Sequence, residues 1–201
     1  MNPRFKLGIT GGIGSGKTSV CRVFEVLGIP VFSADREARE IMENDNDIIA
    51  GINSITGKDL YKNGSLDRTE LASIIFNDTT ILMKVNLLVH PAVFDHFTKW
   101  TLIKSAPYVI MEAAILFESG ASAFVDKIAT VVAPVEQRVK RVILRNKLSQ
   151  EQVMERMRNQ MDDDDRIRQS DFIISNSEND MIIPSILKIH NEILTFINTQ
   201  S

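Results

Sequence analysis

The chain is short of cysteine: it has one, Cys21, in 201 residues. An internal disulfide is therefore excluded, which fits a reducing compartment. Cys21 lies among apolar residues at helical spacing, where a packed thiol is expected rather than a reactive one. No stretch approaches 18 apolar residues, and the N-terminus lacks an unbroken apolar run. Neither a membrane-spanning helix nor a secretory leader is read from such a pattern. Excess charge is also missing, because 23 Lys and Arg stand against 26 Asp and Glu, a net charge of −3. That balance argues against a dedicated nucleic-acid binder but allows a local basic site. There is no internal repeat and no low-complexity linker. A soluble cytoplasmic protein is expected, with no membrane partner. At 44% hydrophobic residues it can bury one sizeable core and carry inserted lobes.

Glycine is sparse too, ten in all, yet four fall between Gly11 and Gly16 in GITGGIGSGKTSV. Gly11, Gly16, Lys17 and Thr18 fit G-x-x-x-x-G-K-[ST], a phosphate-binding loop. Such a loop turns backbone N–H groups inward, through dihedrals that glycine adopts cheaply. The helix that follows adds unsatisfied N–H groups and a positive dipole end. Gly12, Ile13, Gly14, Ser15 and Gly16 would line the phosphates of a nucleotide. Lys17 would reach the β- and γ-phosphates, and the Thr18 hydroxyl would bind Mg²⁺.

Short apolar runs at 5–10, 29–33, 108–113, 127–133 and 172–175 alternate with helical patterns at 17–27, 36–43, 135–146, 149–160 and 184–198. The alternation predicts an α/β fold with a five-stranded parallel sheet and helices on both faces. Two segments break it within this single domain of 1–201. Residues 45–104, with helical patterns around RTELASIIF and HPAVFDHFTKW and a turn at KNGS, read as an inserted helical lobe. Residues 136–168 carry nine Lys and Arg, including Arg138, Arg141, Arg145 and Arg166, and read as a lid. The DDDD run at 162–165 reads as a solvated helix end.

Phosphoryl transfer needs charge neutralisation, alignment and a proton acceptor, and in an open α/β sheet those groups belong at the carboxyl ends of strands. Asp35 follows the second strand, as general base or as N-cap of a helix from Arg36; the two roles are compatible. Glu112 ends the third, either holding Mg²⁺, directly or through water, or pairing with Lys17 or a lid arginine. Arg141 and Arg145 share a helix face, which either meets phosphate or is merely solvated. Asn176 would bond an adenine or simply turn the chain, and His90 suits a structural role at least as well as a binding one.

Taken together, these stretches resemble the dephospho-CoA kinase family over about Leu7 to Ser177. TGGIGSGKT resembles its phosphate loop, GIPVFSADREAR its second-strand motif and EAAILFESG its third. NGSLDRTEL and HPAVF are similar to its substrate lobe, QRVKRVILRNKLSQEQVMERMRNQM to its lid, and SDFIISNS to its last strand. The resemblance implies a P-loop kinase fold with a helical CoA-binding lobe and a lid. It implies transfer of the ATP γ-phosphate to the ribose 3′-hydroxyl of dephospho-CoA, with Mg²⁺. Asp35 then takes the base role and Arg145 the lid role, while Arg39, Glu112 and Arg141 fall among the substrate contacts. His90, with Asp67 and Arg68, would belong to the acceptor lobe. The chain departs from the family's usual Asp at Ser33 and at Glu112, and from its Pro at Ala114. A nucleotide kinase would share the core and lid, and 60–95 is the segment that favours dephospho-CoA over it. A GTPase switch would need N-K-x-D, which Asn146-Lys147-Leu148-Ser149 fails to complete. A regulator that binds ATP without turnover would not need Lys17, Thr18, Asp35 and Glu112 together.

Overall fold

The computed structural model describes residues 4–62 and 64–200. In chain order the elements are β1 (Phe5–Thr10), α1 (Lys17–Val26), β2 (Val31–Ser33), α2 (Ala34–Asn44) and α3 (Asn46–Thr56). Next come β3 (Tyr61–Lys62), β4 (Ser65–Leu66), α4 (Arg68–Asn77), α5 (Thr79–Leu102) and β5 (Tyr108–Glu112). A short 3-10 turn precedes β6 (Lys127–Val132), α6 (Val135–Asn146), α7 (Gln150–Arg158), α8 (Asp163–Arg168), β7 (Phe172–Ser175) and α9 (Ile182–Thr199). Two compact units result, one of 1–33 with 101–201 and the other of 34–100.

The first unit holds a five-stranded sheet in the order β2-β5-β1-β6-β7, and every pairing is parallel. The central strands read as unbroken apolar runs because both faces are covered. Leu7, Ile9, Val20, Phe24, Ile110, Ala129, Val131, Ile174, Ile186 and Ile189 are buried in one core. Each large side chain so placed contributes about 1.5–3 kcal/mol. Cys21 sits in that core, where burial, then Glu112 and Glu25, push its thiol well above the usual range, as a packed and unreactive group requires.

Strand and helix limits differ from the sequence reading by one or two residues at several places, and two of these bear on the site. β2 begins at Val31, not residue 29, since Ile29 and Pro30 form the approach and the Pro30 carbonyl accepts the Ile110 N–H at 2.9 Å. α2 begins at Ala34, so Asp35 lies within its first turn and not at a cap before Arg36.

Within 136–168, α6 and α7 share a small apolar cluster of Val139, Val142 and Val153. Ser149 and Gln152 form a reciprocal capping box that starts α7. The DDDD run is a helix end, but the first end of α8: Asp162 caps it by accepting the Asp164 N–H.

In the second unit, β3 and β4 pair antiparallel, with Gly64 at φ 79° between them. Asn63, within the expected KNGS turn, lies outside the described residues. α5 carries the expected helical pattern around HPAVFDHFTKW, with His90 and Pro91 inside it.

Candidate active site

Residues 11–16 leave β1 at the carboxyl edge of the sheet and lead into α1. Gly14 and Gly16 hold φ of 79° and 97°, which L side chains rarely adopt. Gly16 caps α1 with no side-chain oxygen, so no side chain competes for the N–H groups at that positive helix end. Lys17 is buried, and its ammonium donates to the Gly11 carbonyl at 2.7 Å. The buried Ser15 hydroxyl has no hydrogen-bond partner among the described residues, and neither has Thr10 Oγ1 at the end of β1. An orphaned buried hydroxyl costs free energy, and a phosphate oxygen at the loop would satisfy the one on Ser15.

The loop is held from the lid side. The Ile13 N–H donates to Gln160 Oε1 at 2.8 Å, and Arg138 Nε donates to the Ile13 carbonyl at 2.9 Å. The Ile13 side chain packs against the lid's apolar cluster. Arg141 donates to the Asn176 carbonyl at 2.9 Å and to the Gly14 carbonyl at 3.4 Å. Asn176 Nδ2 donates to the Ser15 carbonyl at 2.7 Å, and a Cβ on Gly16 would lie 2.0 Å from it. Asn176 therefore braces the loop, a role distinct from both the adenine contact and the plain turn considered for it.

β5 lies between β1 and β2, with Glu112 in register with Ile9 on one side and Ser33 on the other. The Ser33 hydroxyl donates to Glu112 Oε2 at 2.9 Å. The long Glu112 side chain and the short Ser33 thus fit one another across the β2–β5 pair.

Arg145, seven residues beyond Arg138, is exposed, and its Nε donates to its neighbour Asn146 at 2.8 Å. The structure does not bring it to the loop. In the second unit, Asp35 is half-buried, and its carboxylate has no hydrogen-bond or ion-pair partner among the described residues. Arg39 is exposed. His90 is half-buried, and burial lowers its pKa, so the neutral ring is favoured at pH 7. Asp67 and Arg68 have internal work: Asp67 caps α4 through the Glu70 N–H and pairs with Lys62 at 3.2 Å. Arg68 pairs with Glu43 at 2.8 Å, and the Leu66 N–H, then Arg68, hold that carboxyl below the usual range.

Sequence reading missed Arg138 and Gln160 as individuals. The signal for Arg138 was present: it adjoins Val139 and precedes Val142 by four, which puts it on the buried face of α6. Nothing in the local pattern marks Gln160.

A parallel sheet, a glycine-rich loop entering a helix, a buried lysine and a basic lid define an α/β P-loop kinase. The fold is shared with a shikimate kinase from Acinetobacter baumannii, at a TM-score of 0.51 and 17% identity over 98% of this chain and 95% of that one. The model of the dephospho-CoA kinase family matches residues 5–181. A dephospho-CoA kinase from Bacteroides fragilis is 40% identical over 92% of this chain and 90% of its own length. The solved dephospho-CoA kinase from Campylobacter jejuni has a TM-score of 0.69 and 27% identity, covering 94% of this chain and 96% of that one. The chain belongs to the dephospho-CoA kinase family, which uses ATP to phosphorylate dephospho-CoA in the last step of coenzyme A synthesis. No helix among the described residues is long and apolar enough to cross a membrane.

Proposed function

We propose that the γ-phosphate of Mg·ATP is transferred to the ribose 3′-hydroxyl of dephospho-CoA, with the phosphates held by residues 11–18. The observation that carries this reading is the buried loop itself, where Lys17 and an orphaned Ser15 hydroxyl adjoin a helix end that no side chain caps. Lys17 would follow charge onto the transferring group, where it is worth most. Thr18 and Glu112, the latter directly or through water, would offer Mg²⁺ the hard oxygen donors it favours. When bound there, the ion adds charge neutralisation. Asp35, two residues beyond the end of β2, would take the proton of the acceptor hydroxyl. The unit 34–100, with Arg39 and His90, would bind the acceptor, and the protein would act in the cytoplasm.

The acceptor is tested by competition in rate. Dephospho-CoA offers binding energy remote from its reacting hydroxyl, and that energy can align the hydroxyl with the γ-phosphate. AMP and adenosine are therefore expected to lose kcat as well as affinity, and NMR of the product should place the new phosphate on the 3′-oxygen. An AMP kcat/KM that equals or beats that of dephospho-CoA overturns this reading, as does phosphate on another oxygen.

Arg145→Lys is expected to lower the rate more than it weakens ATP binding. Only a guanidinium holds two phosphate oxygens in one plane. Because Arg145 projects from the exposed end of α6, its contribution depends on the lid's reaching the phosphates during turnover. Wild-type rates for the lysine variant would leave it a solvated surface residue.

A further inference from the structure

We propose that Arg138 is a positioning residue for the phosphate loop and that Gly12 lacks a side chain in order to admit it. The proposal rests on the loop's role in holding ATP, but it concerns a side chain outside the loop, Arg138, that acts on it through Ile13.

Ile13 is the residue through which loop and lid meet. Its side chain lies in the lid's apolar cluster, its N–H is taken by Gln160 and its carbonyl by Arg138. Every group that Ile13 offers is thus held by the lid. The Arg138 guanidinium passes directly over Gly12: a Cβ there would lie 2.0 Å from Nη2 and 2.6 Å from Cζ. Gly12 has no left-handed φ to explain its identity, whereas Gly11, Gly14 and Gly16 each have positive φ. Space for Arg138 is the remaining local reason for a glycine at that position.

Arg138 is itself fixed from behind. It is 3% exposed, and Asp163 of α8 pairs with its Nη1. The other oxygen of Asp163 takes Nη1 of the fully buried Arg166 at 2.6 Å, and Arg166 Nη2 donates to the Met161 carbonyl at 2.8 Å. Glu118 lies 3.9 Å from Arg166 and accepts the Met161 N–H at 2.9 Å. The two buried arginines face two carboxylates, Asp163 half-buried and Glu118 exposed, so the cluster has no net charge. A planar guanidinium can serve Ile13 and Asp163 at once through separate edges; an ammonium on a flexible stem cannot hold both in that fixed geometry. The consequence is that the Ile13 peptide, and with it the turn into Gly14, is set before a phosphate arrives.

The test is a double-mutant cycle of Gly12→Ala and Arg138→Lys, with Gln160→Met as an independent probe of the same residue. Each variant is assayed for kcat, for KM toward ATP and toward dephospho-CoA, and for thermal unfolding. Gly12→Ala and Arg138→Lys are each expected to lower kcat/KM for ATP about tenfold, the size of one charge-assisted hydrogen bond. KM for dephospho-CoA should change far less. In the double variant the two losses should not multiply, because the alanine no longer displaces a guanidinium. Gln160→Met, which disturbs no ion pair, should raise KM for ATP in the same direction. Multiplicative losses would mean that Gly12 meets the phosphates directly and would overturn the proposal. So would a fall in melting temperature with ATP kinetics unchanged. If Arg138→Lys fails to fold, an unchanged KM for ATP in Gln160→Met decides against the proposal and a raised one decides for it. Failure of the wild type to phosphorylate dephospho-CoA would instead count against the reading of the acceptor, since ATP binding to the loop can be measured without it.

Discussion

Lys17→Ala is expected to lower turnover by on the order of a thousandfold, the scale of losing a preorganised charge that acts on the transition state. Lys17 opens α1 from a buried position, with its ammonium 2.7 Å from the Gly11 carbonyl. Alanine is the best helix former at such a position. The unmet Gly11 carbonyl would cost about 1–3 kcal/mol of stability, which a core of this size can bear. Circular dichroism and thermal melting would establish that the variant folds, and steady-state assays would give the rate. A folded variant with near-normal turnover would remove the phosphate-loop assignment altogether.

Asp35→Asn is expected to lower kcat by about a hundredfold or more, as loss of a general base does, while ATP affinity changes little. The substitution is nearly isosteric and removes only the ability to accept a proton. The structure makes the experiment cleaner than the sequence did. Asp35 stands inside the first turn of α2 and not at its cap, and its carboxylate has no partner among the described residues. Its only evident structural contribution is a negative charge near a helix N-terminus, worth about 0.3–1 kcal/mol. The melting temperature should therefore hardly move. A fully active, normally stable variant would show Asp35 to be an ordinary surface acid, with the proton going elsewhere.

The parallel sheet was legible because its central strands are buried on both faces and so read as apolar runs of the right length. The phosphate loop was legible because it is local: eight consecutive residues carry its chemistry. The lid arginines were not, and α6 shows why. Arg138, Arg141 and Arg145 recur at helical spacing and share one side of α6, yet they grade from buried through half-buried to exposed. The gradient comes from α6 docking its first turns on the loop while its last turn projects. Spacing gives the face of a helix and says nothing about which end of it is covered. The contacts that Asn176 and Gln160 make with the loop were illegible for a related reason, since each serves a residue more than 140 positions away in the chain. The start of α2 was misjudged by two residues, and that shift alone turned a candidate cap into a first-turn acid.

The order of strands also constrains how this chain is made. β1 pairs with β5 and β6, and β2 pairs with β5, so the first two strands do not pair with each other. While the chain emerges from a ribosome, residues 5–33 find no sheet partner until Tyr108–Glu112 is released. By then the whole of 34–100 is outside, with Ile48, Ile52, Leu60 and Leu71 available for burial in a unit of their own. Joining β1 to β5 closes a long loop, and its entropic cost falls if the intervening residues have already condensed. The intervening unit can therefore condense before β1 meets β5, and the five-stranded sheet can be complete only after synthesis has passed β7. Until β5 is released the apolar strands β1 and β2 lack a sheet partner, and residues 5–33 of the nascent chain are where a chaperone would have to act.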